Sequence, residues 1–314
     1  MEYIRPFEKI SKGDAEIAGG KGASLGEMTQ AGIPVPPGFV ILATSFDQFI
    51  EETNLKAGID AELHKVNHKE VSTVENASER IKAMILSSKM PKDLGKEIEV
   101  QFKKLGATFV AVRSSATAED SSAAAWAGQL DSFLNTTQKT LLDNVKLCWA
   151  SLFTPRAIFY RFEKDLHKQH ISVAVVVQKM VESEISGIAF SVHPVTQDHN
   201  QLIIEAGYGL GEAIVSGQVT PDGYVIDKRD WSMVDIHAAE QERAMYRKVG
   251  GGNEWVNVPA AKQGLQKLSG KQIIELSKLI IKIEKHYGFP CDIEWALEKG
   301  KFYITQSRPI TTLS

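Results

Sequence analysis

The residues best placed to do chemistry lie between positions 291 and 309, CDIEWALEKGKFYITQSRP, where acidic, amide and guanidinium groups recur in two short apolar runs. Side chains alternate across a strand, so Cys291, Ile293, Trp295 and Leu297 fall on one face, with Asp292 and Glu294 on the other. Lys299-Gly300 supplies a turn, and Phe302, Ile304, Gln306 and Arg308 alternate along the returning strand. A three-residue loop, 299–301, sets Glu294 opposite Gln306 and Asp292 opposite Arg308; a two-residue Lys-Gly turn sets Thr305 opposite Glu294 instead. Chemistry favours the three-residue loop. A carboxylate beside an amide oxygen suits a hard cation, and a neighbouring arginine suits a phosphate. The segment therefore reads as a Mg-nucleotide site, and the plain alternative is a surface hairpin with a solvated polar face.

The elements that must position these groups belong to a chain of 314 residues, long enough for one large or two medium domains. Hydrophobic content of 43% and charged content of 24% are ordinary for a globular protein. A formal charge of -3 gives no polybasic field for nucleic acid or an anionic membrane, so any phosphate binding is local. The N-terminus MEYIRPFEKI has no cationic segment followed by an apolar run, and no stretch reaches the ~18 apolar residues of a membrane span, so a cytoplasmic location is expected. The two cysteines, Cys148 and Cys291, sit far apart in apolar settings and read as buried thiols rather than a disulfide or zinc site.

Along the chain, EIAGGKGASLGEMTQAG at 16–32 forms a glycine-rich turn leading into a helix that stops near Gly32. IPVPPG at 33–38 forces an extended connection into an apolar strand at 39–42, and 45–105 reads as mainly helical scaffold. A β-rich segment at 108–112 ends in RSSATAED at 113–120, followed by a small-residue run to Gly128 that reads as a mobile loop. Helical periodicity resumes at 139–164 with a break at Pro155. An apolar strand at 171–177 meets a polar break at Gln178-Lys179, with 187–192 as its expected antiparallel neighbour. A further strand at 202–205 runs into GYGLGE at 207–212 and a short helix. Ile273, Leu276, Ile280, Ile283 and Tyr287 mark one helical face closed by Gly288 and Pro290. Strands and helices mix without regular βαβ alternation, which describes two α+β lobes. The GxxxxGK[ST] loop and a Rossmann GxGxxG after a strand are both missing from the sequence.

The ordered motifs give a closer likeness. GGKGASLGEM at 19–28, GIPVPPGF at 32–39, RSSATAED at 113–120, AGQLDSFLN at 127–135, QKMV at 178–181, GLGE with VSGQVTPD between 209 and 222, and DIEWA with QSRPIT at 292–311 appear in sequence. The chain resembles the N-terminal nucleotide-binding domain of the phosphoenolpyruvate synthase and pyruvate phosphate dikinase family, which includes rifampin phosphotransferases and glucan water dikinases. That resemblance implies an ATP-grasp fold, α+β, with ATP in a cleft between an N-terminal lobe at 1–180 and a C-terminal lobe at 181–314. It also implies that ATP and Mg²⁺ are bound here and that a phosphoryl group passes to a histidine on a separate swivelling domain, in cis or trans, which serves a third, substrate-binding domain. None of the eight histidines sits in the phosphoacceptor's Ser-His setting, and the sequence ends where a first domain is expected to end. The synthase-like outcome is phosphoenolpyruvate, AMP and phosphate from ATP, pyruvate and water. An antibiotic-directed phosphotransferase and a stand-alone ATP-binding module without catalysis are the other readings.

Residue roles combine the resemblance with local chemistry. Lys21, between glycines and ahead of a helix N-terminus, is a triphosphate contact. Arg113 follows an apolar strand, where its fork suits phosphate oxygens, the plain alternative being an ion pair with Glu119 or Asp120. Gly128 and Ser132 offer an amide and a hydroxyl from a loop able to fold over the nucleotide, although SSAAAW at 121–126 is less polar than the family's usual run. QKMV has the character of an adenine hinge in which backbone groups read the base edge, Met180 gives a soft wall and Gln178 contacts the nucleotide. Glu294 and Gln306 hold Mg²⁺, Arg308 neutralises charge on the transferred group beside the cations Lys21 and Arg113, and Asp292 is a supporting or second-metal candidate. His193 reads as structural.

Overall fold

A computed structural model of the chain describes residues 2–117, 131–164, 166, 171–311 and 313. It divides into two compact units, Met1–Glu27 with Pro37–Met180 and Met28–Pro36 with Val181–Ser314. The short insert joins the second unit through backbone and side-chain bonds: Ile304 N donates to Pro34 O at 2.9 Å and Lys282 Nζ to Gly32 O at 3.3 Å. Among the described residues no helix is long and apolar enough to cross a membrane.

The first unit is built on a 5-stranded antiparallel sheet of β1 (Ile4–Pro6), β2 (Gly38–Ile41), β3 (Val110–Ala116), β4 (Ser132–Thr136) and β5 (Val173–Lys179), in the order β1-β2-β5-β3-β4. The β-branched run of β5 makes a central strand, and it continues through Gln178 and Lys179 rather than breaking there. Both edges of β5 are taken by β2 and β3, so 187–192 is not its neighbour as the sequence suggested. That segment belongs to the other unit.

Seven helices accompany this sheet: α1 (Ala15–Gln30), α2 (Ala43–Glu52), α3 (Lys56–Leu63), α4 (Val71–Ser87), α5 (Lys92–Leu105), α6 (Leu141–Ala150) and α7 (Pro155–Glu163). The helical stretch breaks before Pro155 as expected, and Pro155 starts α7, where Thr154 caps it by accepting from Ala157 N at 3.2 Å. One face of the sheet, with Phe39, Ile41, Val110, Val112, Val173, Val175 and Val177, joins a buried cluster with Phe46, Phe49, Ile81, Ile85 and Trp149 from the helices. Each such side chain fully removed from water contributes about 1.5–3 kcal/mol. By strand parity the opposite face carries Arg113, Ser115, Val176 and Gln178.

The second unit holds a 6-stranded antiparallel sheet of β6 (Ile185–Phe190), β7 (Gln201–Tyr208), β8 (Asp222–Asp227), β9 (Met233–His237), β12 (Cys291–Glu298) and β13 (Lys301–Pro309), ordered β13-β12-β6-β7-β8-β9, with a separate hairpin of β10 (Arg243–Arg247) and β11 (Asn253–Asn257). Two short helices, α8 (Glu212–Val215) and α9 (Ala260–Gln263), precede the long α10 (Gly270–Tyr287). A capping box between Ser269 and Gln272 opens α10, and Gly288 in the left-handed region closes it. Its fully buried Ile273, Leu276, Ile280 and Ile283 form the face read from the sequence, and the helix packs on β7 and β12.

Asp222, the last residue of the VSGQVTPD motif, anchors this unit. Its carboxylate meets Lys267 Nζ at 2.9 Å, with both side chains inaccessible to solvent, and accepts from Tyr224 OH at 2.7 Å, Ala239 N at 2.9 Å and Lys267 N at 2.7 Å. A buried ion pair gains little over an apolar pair, but removing one partner strands the other charge. Asp222→Ala is expected to cost about 3–5 kcal/mol in urea unfolding; a loss below about 1 kcal/mol, the value of an exposed pair, would show that the pair is not a keystone. Cys148 and Cys291 are free and buried, and burial pushes both thiols up to about 12. Neither should react with a thiol-specific disulfide reagent at pH 8 until the chain is unfolded, and immediate labelling of the native protein would contradict their burial.

Candidate functional site

In the first unit the glycine loop is laid directly on the strand bearing Arg113. Gly19 adopts φ 68 and ψ 167 and breaks the helical path of α1. A Cβ there would lie 2.2 Å from Ser115 Oγ and 2.4 Å from Ser115 O, so only glycine fits. Gly22 N donates to Ser115 Oγ at 3.2 Å, and Lys21 Nζ donates to Ser114 O at 3.1 Å. Ser114 Oγ lies 2.9 Å from Ser151 Oγ and donates to Asp131 O at 3.1 Å, which ties β3 to the residues just before β4 and just after α6. Two serines of the RSS motif to which the sequence assigned no role thus support this segment, Ser114 through its carbonyl to Lys21 and Ser115 through its hydroxyl to Gly22.

Arg113 pairs across the sheet with Ser132 on one side and Val176 on the other. Gln178 pairs with Ala111 and therefore shares the face of Arg113. Three of the expected contacts, Arg113, Ser132 and Gln178, are in this way gathered on the face opposite the helical core, with Lys21 held at its margin by β3. Gln178 is 2% exposed and its Nε2 has no hydrogen-bond partner among the described residues. A buried amide donor without an acceptor is costly unless a ligand supplies one. At the hinge, Met180 N donates to Phe109 O at 3.1 Å and Lys179 N to Pro37 O at 2.9 Å. Those two amides are committed within the unit and do not donate to a base edge, which narrows the expectation that the QKMV backbone reads adenine. Gly128, Glu119 and Asp120 lie outside the described residues.

In the second unit the C-terminal hairpin closes through a two-residue turn, not the three-residue loop expected. Glu298 pairs with Lys301, and Lys299 and Gly300 have φ 49 and 77. Positive φ at both central residues is the turn whose twist matches flanking strands. A plain ladder from this turn would put Thr305 opposite Glu294. Instead the register shifts after Trp295 pairs with Ile304, so that Glu294 pairs with Gln306 and Asp292 with Arg308. Thr305 is the extra residue of a β-bulge. The expected pairs are present, but the bulge rather than the loop creates them.

Arg308 Nε and Nη2 both donate to Asp292 Oδ2, at 2.8 and 2.7 Å, leaving Nη1 outside the pair. Asp292 thus positions Arg308. Burial raises the Asp292 carboxyl above its ordinary range, and the guanidinium of Arg308 opposes that rise. Glu294 stands on the same strand face as Asp292 and next to it in spacing. A carboxylate and an amide paired across two strands offer hard oxygen donors. Among the described residues no group of three or more His, Cys, Asp or Glu could enclose a metal ion. Such a sparse donor set fits Mg²⁺, which keeps waters and phosphate oxygens in its shell, and not a closed structural metal site. Arg308→Gln removes the charge that opposes burial, so the Asp292 carboxyl is expected to titrate higher still by carbon-13 NMR. An unchanged or lower midpoint would refute the pairing.

The pyruvate phosphate dikinase AMP/ATP-binding domain family matches residues 15–314. The whole chain aligns at 44% identity with a probable phosphoenolpyruvate synthase of Methanocaldococcus jannaschii, covering 27% of that protein. It is 41% identical over 99% of its length to phosphoenolpyruvate synthase of Pyrococcus furiosus, covering 44% of it. It is 38% identical over 98% of its length to rifampicin phosphotransferase of Bacillus subtilis, covering 36% of it. The chain spans less than half the length of these relatives. With nearly every residue matched and the motifs in order, it belongs to the pyruvate phosphate dikinase AMP/ATP-binding domain family.

Proposed function

We propose that the chain binds MgATP and passes a phosphoryl group to a histidine on a partner domain, the opening half-reaction of phosphoenolpyruvate synthesis from ATP, pyruvate and water. The supporting observation is the bulged hairpin, which presents Glu294 with Gln306 and Asp292 with Arg308 as cross-strand pairs. Phosphoryl transfer asks chiefly for alignment and charge stabilisation, which these residue types provide. Mg²⁺, when bound by Glu294 and Gln306, neutralises charge between phosphate oxygens. Lys21 and Arg113 hold phosphate oxygens, Ser132 adds a hydroxyl, and the buried amide of Gln178 meets a polar group of the nucleotide. Arg308, oriented by Asp292, turns its remaining N–H groups to the group in transfer.

A second reading follows from the relative named a rifampicin phosphotransferase: the half-reaction proposed here would serve an antibiotic acceptor. Both readings share the first step. Mixing the chain with labelled ATP and a separately made histidine domain is expected to place label on the histidine. Tight ATP binding without label would leave only a binding module. Glu294→Ala is expected to cut metal-dependent transfer by about 100-fold or more with an unchanged melting temperature, and full activity would remove the metal assignment. Arg308→Lys should slow transfer more than it weakens ATP binding, because a point charge does not replace a planar fork; equal loss of both would make Arg308 a general binding residue.

A further inference from the structure

The hairpin face extends across the sheet to a carboxylate that the motifs do not single out. Gln306 pairs with Glu294, Glu294 with Ile188 on β6, and Ile188 with Glu205 on β7. Directly paired residues share a face, so these four form one row across four strands. Their sequence neighbours Ile293 and Ile204 are fully buried on the opposite face, the side on which α10 packs. Glu205 is half-buried and, among the described residues, has neither a hydrogen-bond donor nor a cation. Burial raises its carboxyl, and the charge of Asp292 raises it further. The other carboxylates of the row's neighbourhood are engaged: Asp292 takes two N–H groups of Arg308, and Glu294 stands against Gln306. Glu205 alone carries the cost of desolvation without a partner, a pattern that marks functional carboxylates.

Two strand spacings separate the backbones of Glu294 and Glu205, about 10 Å. The floor between them is the aliphatic side chain of Ile188. A flat, partly apolar ring with an N–H at its far end fits such a span. We propose that Glu205 accepts the ring N–H of the phosphoacceptor imidazole during transfer, an inference that rests on the phosphohistidine reading above. In this step the lone pair of one ring nitrogen forms a bond to phosphorus. The phosphorus–oxygen bond to the nucleotide breaks, and its electron pair leaves on the nucleotide oxygen. The proton on the second ring nitrogen is held by, and passes to, the Glu205 carboxylate, so the product is a neutral phosphoimidazole and no further reactant is consumed. The same contact fixes the ring's tautomer and aims the attacking nitrogen.

The test compares the native chain with Glu205→Gln and Glu205→Asp, each mixed with labelled ATP and a separately made histidine domain, with MgATP affinity read by calorimetry. Glutamine keeps the shape and removes a buried charge that costs stability at neutral pH, so that variant should melt no lower than the native chain. Its MgATP affinity is expected to stay within about twofold while label transfer falls by about 100-fold or more. Aspartate, which keeps the charge on a shorter stem, should transfer at an intermediate rate with the same affinity. Transfer by Glu205→Gln at the native rate would overturn the proposal and leave the phosphohistidine reading standing. A parallel loss of MgATP affinity would also overturn it, by assigning Glu205 to the nucleotide. Failure of the native chain itself to label the histidine would remove both.

Discussion

A single inserted residue in a β-ladder governs the chemistry available to the second unit. Two-residue turns with positive φ at both positions suit the natural twist of antiparallel strands. Continued without interruption, the ladder from Lys299-Gly300 would face Glu294 with a threonine. The bulge at Thr305 moves Gln306 into that position and Arg308 opposite Asp292. Bulges also bend and twist the strand that carries them, which re-aims the side chains beyond. The buried side of the same strands, with Ile293, Trp295 and Ile304, keeps the sheet fixed against α10, so the polar side cannot slip register without exposing the core.

Each unit uses one sheet in two ways. In the first, the face with Val110, Val112, Val175 and Val177 is spent on the helical core, and the other carries the buried Arg113 and Gln178. In the second, α10 covers one face, and the other displays Asp292, Glu294 and Glu205. Alternation along a strand makes this division automatic: core residues and candidate site residues occupy successive positions on the same backbone. The candidate site residues are thereby mounted on rigid elements, whose positions the core determines. Lys21 is the exception, carried by α1 just past the break at Gly19. Its rigidity comes from the contact of Gly19 with Ser115, where no larger residue fits.

Much of this was legible from residue order. The helical face of α10 and its closing glycine followed from 3.6-residue spacing, and the cross-strand pairs of the hairpin followed from alternation and the chemical match of carboxylate, amide and guanidinium. The turn was not legible, because a bulge leaves no mark in composition and two errors of one residue cancel. The partner of the strand at 187–192 was misread because sequence proximity says nothing about edges already occupied by β2 and β3. Asp222 looked like one letter of a motif, whereas its partner Lys267 is distant in sequence and lies in no recognisable pattern. Glu205 sits in an ordinary apolar strand, and only the register of the assembled sheet brings it into the row of Glu294.

The central claim is that the bulged hairpin holds the metal of a metal–nucleotide complex. Adding Mn²⁺ with ATP to the isotope-labelled chain and recording side-chain and backbone NMR signals tests it most directly, since the paramagnetic ion erases signals by distance. The account predicts that the Gln306 side-chain amide and the Glu294 backbone signal disappear first, while Lys299 and Gly300 at the far turn persist. Uniform weakening along the hairpin, or loss centred elsewhere, would contradict it.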